Sequence, residues 1–341
     1  MKAVVVERPG LLKVKEVAEP KVGEHDLLVK VRAASICNAT DNHVLNGTFK
    51  GGHDFYPQIL GHEVCGDVLE SGPGVKEPPI GKRVVFYTSR GAFCEYTTLD
   101  TSGLPYACVP DHVSDEEGSL CEMFHGAFLH TVYPSGLKEG EKVAVIGQGP
   151  MGLVVTQCLK AMAPCTVGAI DYQAFRLDKA RLLGADKTYN RSQLSAEQIE
   201  RKMKEEIGLV DMAVICTDTP IDGEEDVYDF AIRLLRPRGR MTGLTVAVKA
   251  GSPHVDVGRL FEKHINLRRR LVEIYSTDPA EKVAQERVIF QLGVDWVAQG
   301  KMSMKEMITH RIPLEDIEYG LRLCREKPGE TIKVSVHILG G

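Results

Sequence analysis

A short apolar strand that runs into G-x-G-x-x-G and straight on into an unbroken apolar stretch leaves few folds open to a chain. Here Lys142 to Ile146 is followed by Gly147-Gln148-Gly149-Pro150-Met151-Gly152 and then by Leu153 to Met162, with no helix breaker. The pattern predicts strand, tight turn and helix. In such a turn the first glycine allows the tight bend, the second lets the backbone approach a pyrophosphate, and the third allows close helix-strand packing. The helix N-terminus then offers free N–H groups to the anion. A second strand, Val167 to Asp171, ends on a carboxylate 19 positions after Gly152. A carboxylate there accepts hydrogen bonds from both ribose hydroxyls of an adenosine and repels a 2′-phosphate. The order predicts a dinucleotide site built from Gly147, Gln148, Gly149, Pro150, Met151, Gly152 and Asp171, with NAD favoured over NADP. Arg176 joins the cofactor-binding set and, being able to meet a phosphate, leaves NADP open.

At 341 residues the chain exceeds the size at which one core stops growing, so two domains are expected. The first 130 residues carry short alternating runs, Leu27 to Ala33, Val64 to Leu69 and Arg83 to Tyr87, punctuated by Gly72-Pro73-Gly74 and Pro78-Pro79; they read as β-structure. From Pro134 strands and helices alternate in the cadence of a parallel, doubly wound sheet. Beyond Glu273 a helix is expected over Glu281 to Gln299, with Ala284, Val288, Ile289, Leu292 and Trp296 on one face, followed by a strand from Thr331 to Ile338. That last segment has no phosphate loop and is assigned to the first domain. The expected division is 1–132, a nucleotide domain at 133–274, and 275–341 rejoining the first part.

A hydrophobic content of 43% with 26% charged residues fits an ordinary globular chain, and no apolar run approaches a membrane span. A net charge of −5 gives no basic surface for nucleic acid or anionic lipid, so neither partner is expected. Met1 opens directly into a strand-like Lys-Ala-Val-Val-Val, unlike a signal peptide, and nine cysteines in no paired spacing read as reduced thiols. A cytoplasmic location follows as the expectation. The basic run Asn266-Leu-Arg268-Arg269-Arg270 reads as a solvated face, and His53, His125 and His130 as bystanders.

Cys37 lies in Cys37-Asn-Ala-Thr40-Asp41-Asn-His43, and His62-Glu63 in Gly61-His62-Glu63-Val-Cys65-Gly66. Thiolate, imidazole and carboxylate are ligands that zinc accepts in tetrahedral catalytic sites that keep one position open. Glu122, in Ser119-Leu-Cys121-Glu122-Met, is the candidate fourth protein ligand.

With these motifs the chain resembles the zinc-dependent medium-chain dehydrogenase/reductase family, which includes alcohol, sorbitol, threonine and glucose dehydrogenases. The resemblance spans the whole chain through Gly61-His62-Glu63, Gly91-Ala-Phe-Cys-Glu95-Tyr96, Gly147 to Gly152, Asp171 with Arg176-Leu177, Leu183-Gly184-Ala185-Asp186, Thr309-His310, Pro313-Leu314-Glu315-Asp316 and Ile332-Lys333-Val334. It implies an α/β architecture: a GroES-like β-rich catalytic domain and a doubly wound Rossmann nucleotide-binding domain. It implies zinc ligation by Cys37 and His62, with Glu63 and Glu122 as ligands or near-ligands that alternate with water. Thr40 and His43 resemble the family's proton relay, and Asp41 its orienting carboxylate on His62. Two departures stand out. Ala39 occupies the place where the family usually has its relay hydroxyl, and only Thr88-Ser89-Arg90 stands where many members carry a four-cysteine structural-zinc lobe. One catalytic zinc and no structural zinc are therefore expected.

The implied activity is NAD-dependent oxidation of a secondary alcohol in a polyol, sugar or cyclitol-like small molecule, by a homodimer or homotetramer. Two alternatives stand beside it: an NADPH-dependent aldehyde or ketone reductase, and a non-catalytic dinucleotide-binding protein, which predicts a broken metal set.

Overall fold

The computed structural model describes residues 1–48, 55–217, 227–243, 263, 266–267 and 278–338. His53 and Arg268 to Arg270 lie outside the described residues. The chain divides into two compact units, Met1–His125 with Tyr275–Gly341, and Gly126–Ile274. The first division falls after His125 rather than after residue 132. The π-helical turn Phe128–Val132 packs with elements of the second unit, and Thr242 Oγ1 donates to the His130 carbonyl at 3.3 Å.

The first unit begins with strands β1 (Lys2–Arg8), β2 (Leu11–Glu16), β3 (Asp26–Ser35), β4 (Gln58–Ile59), β5 (Glu63–Ser71), β6 (Arg83–Tyr87), β7 (Tyr96–Asp100) and β8 (Tyr106–Cys108). Between them lies the short helix α1 (Thr40–Asn46), and after them α2 (Asp115–Leu120) and α3 (Glu122–Ala127). β2, β1 and β4 form a small sheet, while β3, β5, β6 and β8 run side by side in a larger one, with β7 also paired to β3. The alternation in β3 explains its place: Leu27, Val29 and Val31 are fully buried, joining Val64, Val68, Val84 and Phe86 in one apolar core. The antiparallel register sets Ser35 opposite Glu63, and Glu63 opposite Tyr87.

The second unit alternates β9 (Lys142–Ile146), α4 (Pro150–Met162), β10 (Thr166–Asp171), α5 (Ala174–Leu182), β11 (Lys187–Asn190), α6 (Ala196–Glu206), β12 (Val210–Ile215), α7 (Val227–Leu234), β13 (Leu235–Gly243) and β14 (Asn266–Leu267). The six strands are parallel in the order β11-β10-β9-β12-β13-β14. This is the doubly wound nucleotide-binding order. Its strands are apolar on both faces, as helices on both sides require: Val143, Ala144 and Val145 of β9 are each fully buried.

The chain then returns to the first unit as α8 (Pro279–Ala298), β15 (Ile308–Pro313), α9 (Ile317–Glu326) and β16 (Lys333–His337), with β16 antiparallel to β3. The buried face of α8 differs from the expected one. Val283, Glu286, Phe290, Gly293, Val294 and Val297 are buried along with Trp296, while Val288 is 72% exposed and Ala284 is also exposed. The helical period is as read, but the phase is turned. A Cβ on Gly293 would stand 2.2 Å from the Phe124 ring, so glycine here lets α8 press its Gly293 side onto α3. Among the described residues no helix is long and apolar enough to cross a membrane.

Candidate active site

In the first unit, Cys37, His62 and Glu63 each bring one ligand atom to within 4.8 Å of the other two. Cys37 follows the end of β3, and His62-Glu63 begins β5, so the β3–β5 pairing itself draws the three together. Zinc–ligand bonds of about 2.0–2.3 Å put the ligand atoms of a tetrahedron roughly 3.5 Å apart. The cluster matches that span with small adjustments, and its thiolate, imidazole and carboxylate suit a borderline-soft ion. It is the one such trio of histidine, cysteine or carboxylate groups among the described residues.

Asp41 organises this trio from α1. It is 1% exposed, its Oδ2 accepts the Cys37 N–H at 2.9 Å, and its Oδ1 lies 3.3 Å from His62 Nδ1. The contact fixes which imidazole nitrogen faces the cluster, as a carboxylate behind a metal-binding histidine does. Burial alone would lower the His62 pKa, but Asp41 and Cys37 more than reverse it and hold the value well above the usual histidine range.

Glu63 is gripped from the far side by Lys333 and Ser35, to which the sequence assigned no role at the site. Lys333 Nζ donates to Glu63 Oε2 at 2.5 Å and to the Ile36 carbonyl at 2.8 Å, and the Ser35 hydroxyl donates to the same Glu63 oxygen. Burial works to lower the Lys333 pKa, and Glu63 with Cys37 reverses this so that the ammonium stays charged. The sequence marked Lys333 only as part of the Ile332-Lys333-Val334 motif, a lysine between apolar neighbours in a strand.

Glu122 opens α3 outside the close trio. Burial, reinforced by the Glu63 charge, pushes its carboxyl up to about 7, while His62 and Lys333 pull the other way. It is thus within electrostatic reach of the cluster.

A cavity of about 350 Å3 reaches the trio at His62, and its polar lining includes Thr40, Asp41, Gln58, His62, Tyr87 and Thr88. Thr40 therefore faces the site. His43 does not line it: the ring is exposed, and its Nδ1 meets Thr48 Oγ1 at 2.7 Å. His125, read from the sequence as a bystander, does not line the cavity but is buried behind it. It is 7% exposed, stacks on Tyr87 with centroids 5.9 Å apart, and places Nε2 3.7 Å from the buried Glu286, so it backs the cavity wall.

In the second unit the glycine-rich turn has the predicted form. Gly147 takes φ +92°, and a Cβ on Gly152 would stand 1.9 Å from the Gly147 carbonyl oxygen, so turn and helix touch. Gly149 caps α4 without a side-chain bond, and Pro150 at the first turn supplies the preset φ. The N–H groups at the start of α4, including those of Met151 and Gly152, have no intrahelical acceptor. Gln148 contributes its backbone: its side chain turns inward, with Nε2 donating to the Val145 carbonyl at 3.2 Å and Oε1 accepting from Thr156. Asp171 Oδ2 accepts the Gln148 N–H at 2.6 Å and Oδ1 the Gln173 N–H at 2.8 Å, which aims the carboxylate at the turn. Each oxygen keeps a lone pair for a ligand hydroxyl. Arg176 brings Nη1 to 3.6 Å from where a Gly149 Cβ would stand, and its buried Nε has no hydrogen-bond partner among the described residues. A glycine cradle, a fixed carboxylate and an unsatisfied guanidinium nitrogen fit a dinucleotide.

Residues 23–135 match the alcohol dehydrogenase GroES-like domain, and residues 150–284 match the zinc-binding dehydrogenase domain. The chain is 26% identical to sorbitol dehydrogenase of Homo sapiens over 340 residues, covering 92% of this chain and 89% of that protein. It is 25% identical to L-threonine 3-dehydrogenase of Francisella philomiragia over 366 residues, covering 97% of each. Among solved structures, 2R,3R-butanediol dehydrogenase from Bacillus subtilis superimposes with a TM-score of 0.82 at 25% identity, covering 98% of this chain and 99% of that one.

Proposed function

Since the chain belongs to the family of zinc-dependent medium-chain dehydrogenases, oxidoreductases that act on alcohol CH–OH groups with zinc and a nicotinamide cofactor, we propose that it oxidises a secondary alcohol of a polyol, sugar or cyclitol, with NAD as hydride acceptor. The observation that carries this reading is the convergence of Cys37, His62 and Glu63, with His62 and Thr40 lining one cavity.

A zinc ion at these three side chains supplies Lewis acidity that lowers the pKa of a neighbouring alcohol. NAD supplies the ring that accepts the hydride. The remaining work belongs to the chain. Asp41 keeps His62 in one tautomer and also ties down the Cys37 backbone, so two ligands share one anchor. Lys333 and Ser35 hold one oxygen of Glu63 and fix the direction of the carboxylate. Thr40 is the hydroxyl placed to take the substrate proton toward solvent, and Glu122, poised near neutrality, is the carboxyl that stands in reserve by the site. In the other unit, Asp171 reads the adenosine ribose and the α4 N-terminus with Arg176 holds the pyrophosphate.

The test is steady-state oxidation of a panel of polyols, sugars and cyclitols with NAD and with NADP. NADH formation on at least one, with NAD preferred, supports the reading. Turnover only in the reductive direction with NADPH contradicts it.

A further inference from the structure

The short turn after β6 does more than close a gap. Thr88 lies in the same cavity as His62 and is 3% exposed. Its N–H donates to the His62 carbonyl at 3.0 Å, which ties the threonine directly to the backbone of the proposed metal-binding histidine. Its Oγ1 accepts the Arg90 N–H at 3.0 Å, but the hydroxyl proton has no acceptor among the described residues. Ser89 lines the cavity beside it and is exposed. Arg90 pins the turn to the sheet: Nη1 donates to Thr98 Oγ1 at 2.6 Å, and the guanidinium meets Asp26 at 2.9 Å. The rest of the lining includes Val44, Ile59, Leu60 and Leu104, which offer carbon contacts and no donor.

A carbon skeleton is thus met by apolar walls, while the hydroxyl donors Thr88 and Ser89 are held on a clamped turn next to His62. We infer that Thr88, with Ser89 beside it, selects substrates carrying a second hydroxyl adjacent to the reacting one, vicinal diols and polyols, over monoalcohols of the same skeleton, and that Arg90 is the positioning residue for this turn. The inference rests on the alcohol-oxidising reading of the site and names its specificity element. A site built to hydrogen-bond a substrate hydroxyl discriminates strongly against the analogue that lacks it, because the site's own polar group is then left unpaired.

The experiment compares kcat/KM of the full-length zinc-loaded enzyme on 2,3-butanediol and 2-butanol with NAD, alongside calorimetric binding of each alcohol. The wild type prefers the diol by about 100-fold. Thr88→Val lowers that preference by about tenfold or more, through the KM of the diol, and Thr88→Ser restores it. Arg90→Gln raises the diol KM with kcat retained, and Arg90→Lys recovers it. A wild-type preference below about threefold, or a Thr88→Val variant that loses both alcohols equally, overturns the inference while leaving the proposed function standing. A zinc-loaded enzyme that oxidises no alcohol at all overturns the proposed function, and this inference with it.

Discussion

Lys333 Nζ lies 2.5 Å from Glu63 Oε2, and each side chain is only 2% exposed. The two residues are 270 positions apart, and their meeting couples the last strand of the chain to the proposed metal cluster. A buried pair of this kind gains little net stability as a pair, yet losing one partner strands the other's charge. Lys333→Met is expected to destabilise the protein by about 3–5 kcal/mol in urea unfolding, and Lys333→Met with Glu63→Gln to recover much of that loss. A double variant no more stable than Lys333→Met would show that the charge pairing is not the source.

Asp171 is aimed at the glycine turn by two backbone N–H groups. Asp171→Ala removes both the ribose acceptor and the charge that repels a 2′-phosphate. The NAD-to-NADP ratio of kcat/KM is expected to fall by about tenfold or more, read from paired initial-rate series. An unchanged ratio would assign cofactor choice elsewhere.

Gly152→Ala forces a methyl group against the Gly147 carbonyl oxygen, since the ideal Cβ would stand 1.9 Å away. Backbone on both sides leaves no flexible atom to yield. A loss of about 1–3 kcal/mol in thermal or urea unfolding is expected, together with weakened NADH binding by fluorescence titration. Wild-type NADH affinity in this variant would contradict the close contact.

Asp115 carries a pH prediction. Burial works to raise its pKa, but the guanidinium groups of Arg32 and Arg83 reverse this and hold the carboxyl below its ordinary 3.8. The stabilisation is therefore complete above about pH 4 and is lost as pH falls through the lower folded value. Asp115→Asn is expected to cost about 1 kcal/mol at neutral pH and progressively less as pH falls below about 4, measured by urea unfolding across that range. A penalty that stays constant down to pH 2 would exclude the ion pairs as its cause.

Motif-bearing parts of the fold were legible because local chemistry dictates them. The run from Lys142 to Asp171 could only be strand, turn, helix and strand, and β6 spans Arg83–Tyr87 as its alternation requires. Cys37, His62 and Glu63 could be singled out because thiolate, imidazole and carboxylate are donors that zinc accepts and they stand in motifs that resemble a zinc-dependent family; the structure brings their ligand atoms within 4.8 Å of one another. What escaped the sequence depends on partners remote in the chain. Lysine is almost never fully buried without a partner, so Lys333 could not be recognised before β16 was paired with β3. The phase of α8 was set by Gly293 meeting Phe124, a contact no period reveals. His43 carries the right chemistry for a relay, yet α1 turns it to solvent, where Thr48 takes its Nδ1.

In the proposed function Cys37, His62 and Glu63 hold one zinc ion on which alcohol oxidation depends. The most direct measurement is the zinc content of purified full-length protein and of Cys37→Ser, each assayed for NADH formation before and after chelation. About one zinc per wild-type chain, lost together with turnover on chelation and absent from Cys37→Ser, is the predicted result. Turnover that persists in metal-free protein, or stoichiometric zinc retained by Cys37→Ser, would contradict it.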